Sequence, residues 1–187
     1  MAERASSSDP GSFVVFLRAV NVGSRTMVPM KELAARLADE TGAPVANYLQ
    51  SGNLVVGTGD GRSLGEVVTR LIDESFGLTV PAVVRSASQL EVLLAANPWP
   101  EDDPKQVHLT MWEEAHDEAA AAAMAALDWQ GDEIVFSGTN AWLRFTRPSH
   151  TSKLNVQALD KRLGVKATAR NLRTVRAVAN LATGTTL

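Results

Sequence analysis

The sequence contains no cysteine. Disulfides, thiolate metal sites and cysteine nucleophiles are thereby excluded, and the absence fits a cytoplasmic chain. The three histidines, His108, His116 and His150, are scattered and lack the spacing of a metal centre. No metal or cofactor is therefore expected. No apolar run approaches the roughly 20 residues needed to span a bilayer. The stretch 1–12 is small and polar, without the apolar segment of a secretory signal, and reads as a disordered tail. The G-x-G-x-x-G fingerprint, the P-loop lysine motif and the G-x-S-x-G nucleophile elbow are also missing.

What remains is a chain of 187 residues, 45% of them hydrophobic, enough for a globular protein with a substantial core. Its net charge of −3 is unevenly spread. Between Arg144 and Arg176 lie nine basic residues and one acid, Asp160, so that segment is +8 and the rest of the chain −11. Such asymmetry suits either an anionic partner or a solvated surface paired with the acidic half.

Apolar spacing gives the elements. Phe13–Arg18 is a strand with apolar residues on both faces, which implies a sheet covered on both sides. Pro29 stands at a helix start, Met30, Leu33, Ala34 and Leu37 follow at helical spacing, and Gly42 ends the helix. Val45–Leu49 and Leu54–Val56 form a hairpin. Ser63-x-x-Glu66 predicts the box opening a second helix that closes at Gly77. Thr79–Arg85 is the fourth strand, and Ser88-x-x-Glu91 predicts the start of a connecting helix ending at Asn97-Pro98. An acidic, proline-bearing linker follows.

The series then begins again: strand Gln106–Trp112, helix Asp117–Leu127, hairpin Ile134–Phe136 with Ala141–Phe145, helix Lys153–Leu163, strand Val165–Arg170. A last helix covers about Leu172–Leu181, capped by Asn171. Each hairpin turns at a Ser-Gly pair, Ser51-Gly52 or Ser137-Gly138. Each second helix closes on Gly77 or Gly164, and each last strand ends in arginine, Arg85 or Arg170. These matches in one order at nearly one offset predict an internal duplication. The expected fold is α+β, with two ferredoxin-like β-α-β-β-α-β halves over 13–85 and 106–170. Residues 86–105 join them, and 171–187 form a C-terminal helix.

In that topology the loop leaving the first strand and the hairpin turn lie at one end of the sheet. Arg18, Asn21, Gly23 and Arg25 are thereby brought towards Gln50, Ser51 and Asn53, beside the start of the Pro29 helix. Arginine, amide side chains and a helix start suit a phosphate or carboxylate; the alternative is that both loops are well-built turns. A second set of residues, His108, Trp112, Trp142 and Arg144, is expected on one face of the second sheet. That face either packs against protein or, with the basic segment 144–176, binds nucleic acid. Glu113, Glu114, Asp117 and Glu118 read as carboxylates at a helix start.

Three stretches carry a family resemblance: Leu17-Arg18-Ala19-Val20-Asn21-Val22-Gly23, Val28-Pro29-Met30 and Tyr48-Leu49-Gln50-Ser51-Gly52-Asn53-Leu54-Val55-Val56. They resemble the L-R-G-I-N-V-G, V-P-M and Y-I-Q-S-G-N-V-V-F pattern of a bacterial domain-of-unknown-function family, number 1697. Weaker echoes are Asn97-Pro98, Ser152-Lys153-Leu154 and 168–175. The resemblance implies an α+β fold and brings no activity with it. Three functional expectations follow. The first is a small anionic ligand at the 18–25 and 50–53 loops. The others are nucleic acid on the basic segment, and a structural or dimerising module.

Overall fold

The computed structural model describes residues 11–22, 27–57 and 61–184. Most of the expected tail, residues 1–10, lies outside the described residues. The first half runs β1 (Phe13–Leu17), α1 (Met30–Thr41), β2 (Val45–Asn47), β3 (Asn53–Val56), α2 (Gly61–Phe76), β4 (Ala82–Ser86) and α3 (Ala87–Ala95). The second repeats it as β5 (Val107–Trp112), α4 (Glu118–Ala125), β6 (Glu133–Ser137), β7 (Asn140–Arg144), α5 (Val156–Leu163), β8 (Ala167–Asn171) and α6 (Leu172–Ala182). Each half forms a four-stranded antiparallel sheet, ordered β2-β3-β1-β4 in the first and β6-β7-β5-β8 in the second. The fold is α+β, as expected, and the repeated unit is one helix longer than the sequence suggests. α3 and α6 occupy equivalent places, each directly after the arginine-bearing fourth strand.

Local chemistry sets the boundaries. Gly42 and Gly164 close α1 and α5 in the left-handed region that glycine enters without a Cβ penalty. The capping expectations need correction at two helices. α2 already begins at Gly61, so Ser63 lies inside the helix. α3 is opened by Ser86, not Ser88: the Ser86 hydroxyl accepts from the Gln89 N–H, and the Gln89 side chain accepts from the Ser86 N–H. That reciprocal box satisfies two helix-start donors at once.

Three stacked cores hold the elements together. Val15, Leu17 and Leu54 pack beneath α1 and α2. On the far side, Trp112, Leu143 and Phe145 pack beneath α4 and α5. The middle core joins the inner faces of both sheets, with Val14 and Phe16 from one, Leu109, Met111 and Trp142 from the other. α6 lies in this layer and touches β1 and β3 of the first sheet, β5 and β8 of the second, and α3.

Trp112 and Trp142 are both buried, but on opposite faces of their sheet, which corrects the single-face expectation. The reason is register. β7 pairs antiparallel to β5 with Trp142 opposite Leu109 and Leu143 opposite His108, so Trp142 faces inward with Leu109 and Met111. Arg144, opposite Val107, lies on that same side, bonded to Asp102 and Glu133. Trp112 and Trp142 therefore do not form one aromatic face.

His108 lies on the outer face, edge-on to the Phe145 ring at 5.0 Å, with Nδ1 buried and unpartnered. Burial lowers its pKa from the ordinary 6.5 to about 4. The folded state therefore favours the neutral ring, and the unfolded chain takes up the proton first. Stability should be intact above about 6.5 and decline as the pH falls toward about 4. Denaturant titrations across that range should show the decline in the wild type and a smaller one in His108→Gln; equal slopes would refute the assignment.

Candidate functional site

Two loops meet at the end of the first sheet, as the topology requires. Their junction is built on Asn21, a non-glycine residue held at φ 56°. Its amide Nδ2 donates to the carbonyls of Gln50, at 2.6 Å, and Val28, at 3.0 Å, while Oδ1 accepts from the Val28 N–H at 2.8 Å. Asn21 thus ties the strand-exit loop to the hairpin turn and to the approach of α1. Ala19 and Leu49 are likewise left-handed, at φ 51° and 59°. Three such residues in these two loops mark a backbone held in a costly shape by its surroundings.

The hairpin turn is shaped around an arginine from the other half. Arg170, on β8, directs Nε to Asn53 Oδ1 at 2.6 Å. Its Nη2 donates to the carbonyls of Leu17 (2.7 Å), Ser51 (2.9 Å) and Gly52 (3.0 Å). Nη1 donates to Thr168 Oγ1 and the Ala169 carbonyl. The guanidinium also lies 5.7 Å over the Phe16 ring. All five of its N–H groups therefore meet protein acceptors. Burial lowers its pKa to about 10, so it stays charged at neutral pH.

Gly52 completes the cage. At φ 79° a Cβ there would lie 2.5 Å from Val20 Cγ2 and 2.8 Å from Leu17 Cβ. Asn53, fully buried, spends its amide on the Tyr48 carbonyl and Ser51 Oγ. The Ser51-Gly52-Asn53 turn is thus an acceptor cage for Arg170.

The second half returns the interaction. Arg85, on β4, donates Nη2 to the Trp112 carbonyl at 2.7 Å, to the Thr139 carbonyl and hydroxyl at 3.2 Å, and to Asn140 Oδ1 at 3.2 Å. Arg85 thus stands to the β6–β7 turn as Arg170 stands to the β2–β3 turn. One difference matters. Arg85 has a carboxylate, Glu113, at 3.6 Å, whereas among the described residues none pairs with Arg170. The residue equivalent to Glu113 is Arg18, one position past β1.

Arg18 makes no bond to Asn21, Gln50, Ser51 or Asn53, although it adjoins Leu17, whose carbonyl holds Arg170. The Arg18 Nη2 meets Asp160 Oδ2 at 2.6 Å and its Nη1 donates to the Ala167 carbonyl at 2.8 Å, both in the second half. Lys166 approaches the same carboxylate at 3.8 Å. The structure therefore joins Asn21 to Gln50, and Ser51 to Asn53, but bonds Arg18 to the second half. Gln50 and Ser51 are exposed. Gly23 and Arg25 lie outside the described residues. Arg170 is the residue that sequence reasoning used as a repeat marker and as one charge of the basic segment. Its position after a β-strand, matched by Arg85, was the available signal.

Fold and site together define a duplicated α+β protein whose halves are interlocked by paired arginines. Residues 11–142 match the family described as protein of unknown function (DUF1697), and the chain belongs to that family. The fold is similar to that of the conserved bacterial protein SP0830 from Streptococcus pneumoniae. The TM-score is 0.73 at 21% identity, covering 92% of this chain and 98% of that one. No curated protein matches the chain significantly. Among the described residues no helix is long and apolar enough to cross a membrane, and no group of three or more His, Asp and Glu side chains could hold a metal ion.

The cage makes two substitutions diagnostic. Arg170→Lys keeps the charge but cannot reach acceptors on all sides. Leaving several partly buried acceptors unmet should cost roughly 3 kcal/mol, about 6–12 °C in thermal midpoint for a chain of this size. Gly52→Ala should destabilise comparably, since Leu17 and Val20 leave its methyl no room. Melting curves superimposable on the wild type would remove the cage from the account.

Proposed function

We propose that the protein binds a small anionic ligand, phosphate- or carboxylate-bearing, at the loop end of the first sheet. The reading is supported by one observation, the charge balance there. Arg170 is ringed only by neutral acceptors, and Arg18 and Lys166 share the single carboxylate of Asp160. Three cations meet one anion, whereas the equivalent end of the second half pairs Arg85 with Glu113. A half-buried guanidinium without a counter-ion raises the local potential. Because every N–H of Arg170 is engaged, its charge acts on the ligand through the field. Direct contacts fall to the exposed Gln50 and Ser51 side chains.

A thermal-shift series with inorganic phosphate, pyrophosphate, citrate and sugar phosphates tests this reading. An anion present at about 100 times its Kd stabilises by about 2.7 kcal/mol, roughly 5–11 °C here. Gln50→Ala and Lys166→Gln alter exposed side chains and should leave the unliganded midpoint unchanged while halving the shift or more. If no anion moves the midpoint beyond the effect of matched ionic strength, or both variants respond as the wild type does, the reading fails.

A further inference from the structure

The outer edges of the two sheets are not equally protected. The edge strand β4 has its Val84 N–H taken by Glu113 Oε2 at 3.2 Å. The edge strand β8 has the Ala167 N–H on Asp160 Oδ1 and the Ala167 carbonyl on Arg18. β2 is three residues long. β6 is different: it is five residues long, and among the described residues nothing beyond β7 is bonded to its backbone. It carries no proline or lysine, and its one charge, Glu133, is paired with Arg144 of β7. These are the devices by which exposed edges are normally blunted, and β6 lacks them.

Exposed apolar residues stand on both sides of that edge. Val135 is 42% exposed on the inner side, beyond Trp142. On the outer side an open groove of about 550 Å³ runs between β6 and α4, lined by Ala121, Ala122, Ala125, Ile134 and Phe136, with His116 and Glu118 also in its wall. The exposed face of α4 is alanine, and no charge occurs between Glu118 and Asp128, with Leu127 also 41% exposed. A solvent-facing helix usually carries charge on that face.

We infer that β6 is an interface with a second copy of this chain, pairing antiparallel with its own counterpart to form one continuous eight-stranded sheet. The strand is self-complementary in one register. A two-fold axis through Val135 sets Val135 against Val135, Ile134 against Phe136, and Glu133 against Ser137. Glu133 then never faces its own copy, so no like charges oppose each other. Both α4 helices fall on one side of the sheet, where their alanine faces permit close approach across the joined grooves. The interface is isologous and closes as a dimer without leaving β6 exposed.

Sedimentation velocity and light scattering on the full chain test the inference. The mass should rise with concentration to twice the 20.0 kDa of one chain. Val135→Lys places two cations face to face on the axis, and Ala122→Glu charges the groove. Each should weaken association about tenfold or more, while far-UV dichroism, and the thermal midpoint at concentrations where the wild type is itself dissociated, stay at wild-type values. Because the protein has no cysteine, Val135→Cys should form a disulfide-linked dimer on mild oxidation, and Val92→Cys, exposed on α3, should not. A wild type monomeric at submillimolar concentration overturns the inference. So does a dimer whose affinity is unchanged by both charged variants.

Discussion

A guanidinium removed from water needs acceptors on every side, and in this protein the backbone of the opposite half provides them. Arg170 is held by carbonyls of Leu17, Ser51 and Gly52 and by the Asn53 amide oxygen; Arg85 is held by Trp112, Thr139 and Asn140. Desolvating each cation is costly, and removing it would leave partly buried carbonyls without their donors. Both consequences fix geometry. The end of the central strand and the hairpin turn of one half must stand where the fourth strand of the other can reach them. The register of the two sheets across the middle core follows from that requirement.

The sequence made local features legible and hid those that depend on distant partners. The hairpins, the glycine helix stops and the repeated order of strands and helices were readable, because turn chemistry and apolar spacing act over a few residues. The paired tryptophans misled. Alternation within a strand shows two sets of residues, but which set of β7 shares a face with which set of β5 is decided by their pairing, Trp142 opposite Leu109. The serine that opens α3 was misplaced by two residues, since a glutamine completes the Ser86 box as well as a glutamate would. Arg18 and Arg170 were beyond sequence reach for one reason: their partners are over a hundred positions away.

The candidate site shows the same division. Asn21 and the Ser51-Gly52-Asn53 turn stood out because of their residue types, which are those of tight loops and of anion sites alike. The structure separates the two uses: most of these amides and carbonyls face inward and build the loop. What distinguishes this end of the molecule is charge. Duplication supplied two equivalent ends, and one substitution class separates them, arginine at 18 where its counterpart at 113 is glutamate.

The equivalence of α3 and α6 also bears on how the chain is strung. Eleven residues, 96–106, carry the chain from α3 into β5. The matching element order and the reciprocal arginine contacts make that connection the counterpart of the space between the end of α6 and the start of β1. Topologically the described residues form two equivalent circuits in series. A circular permutant that is cut in the 96–106 connection, with a linker of similar length from residue 184 to residue 11, would keep every strand neighbour and both arginine cages. The order in which the halves emerge from the ribosome is thus independent of the architecture they build.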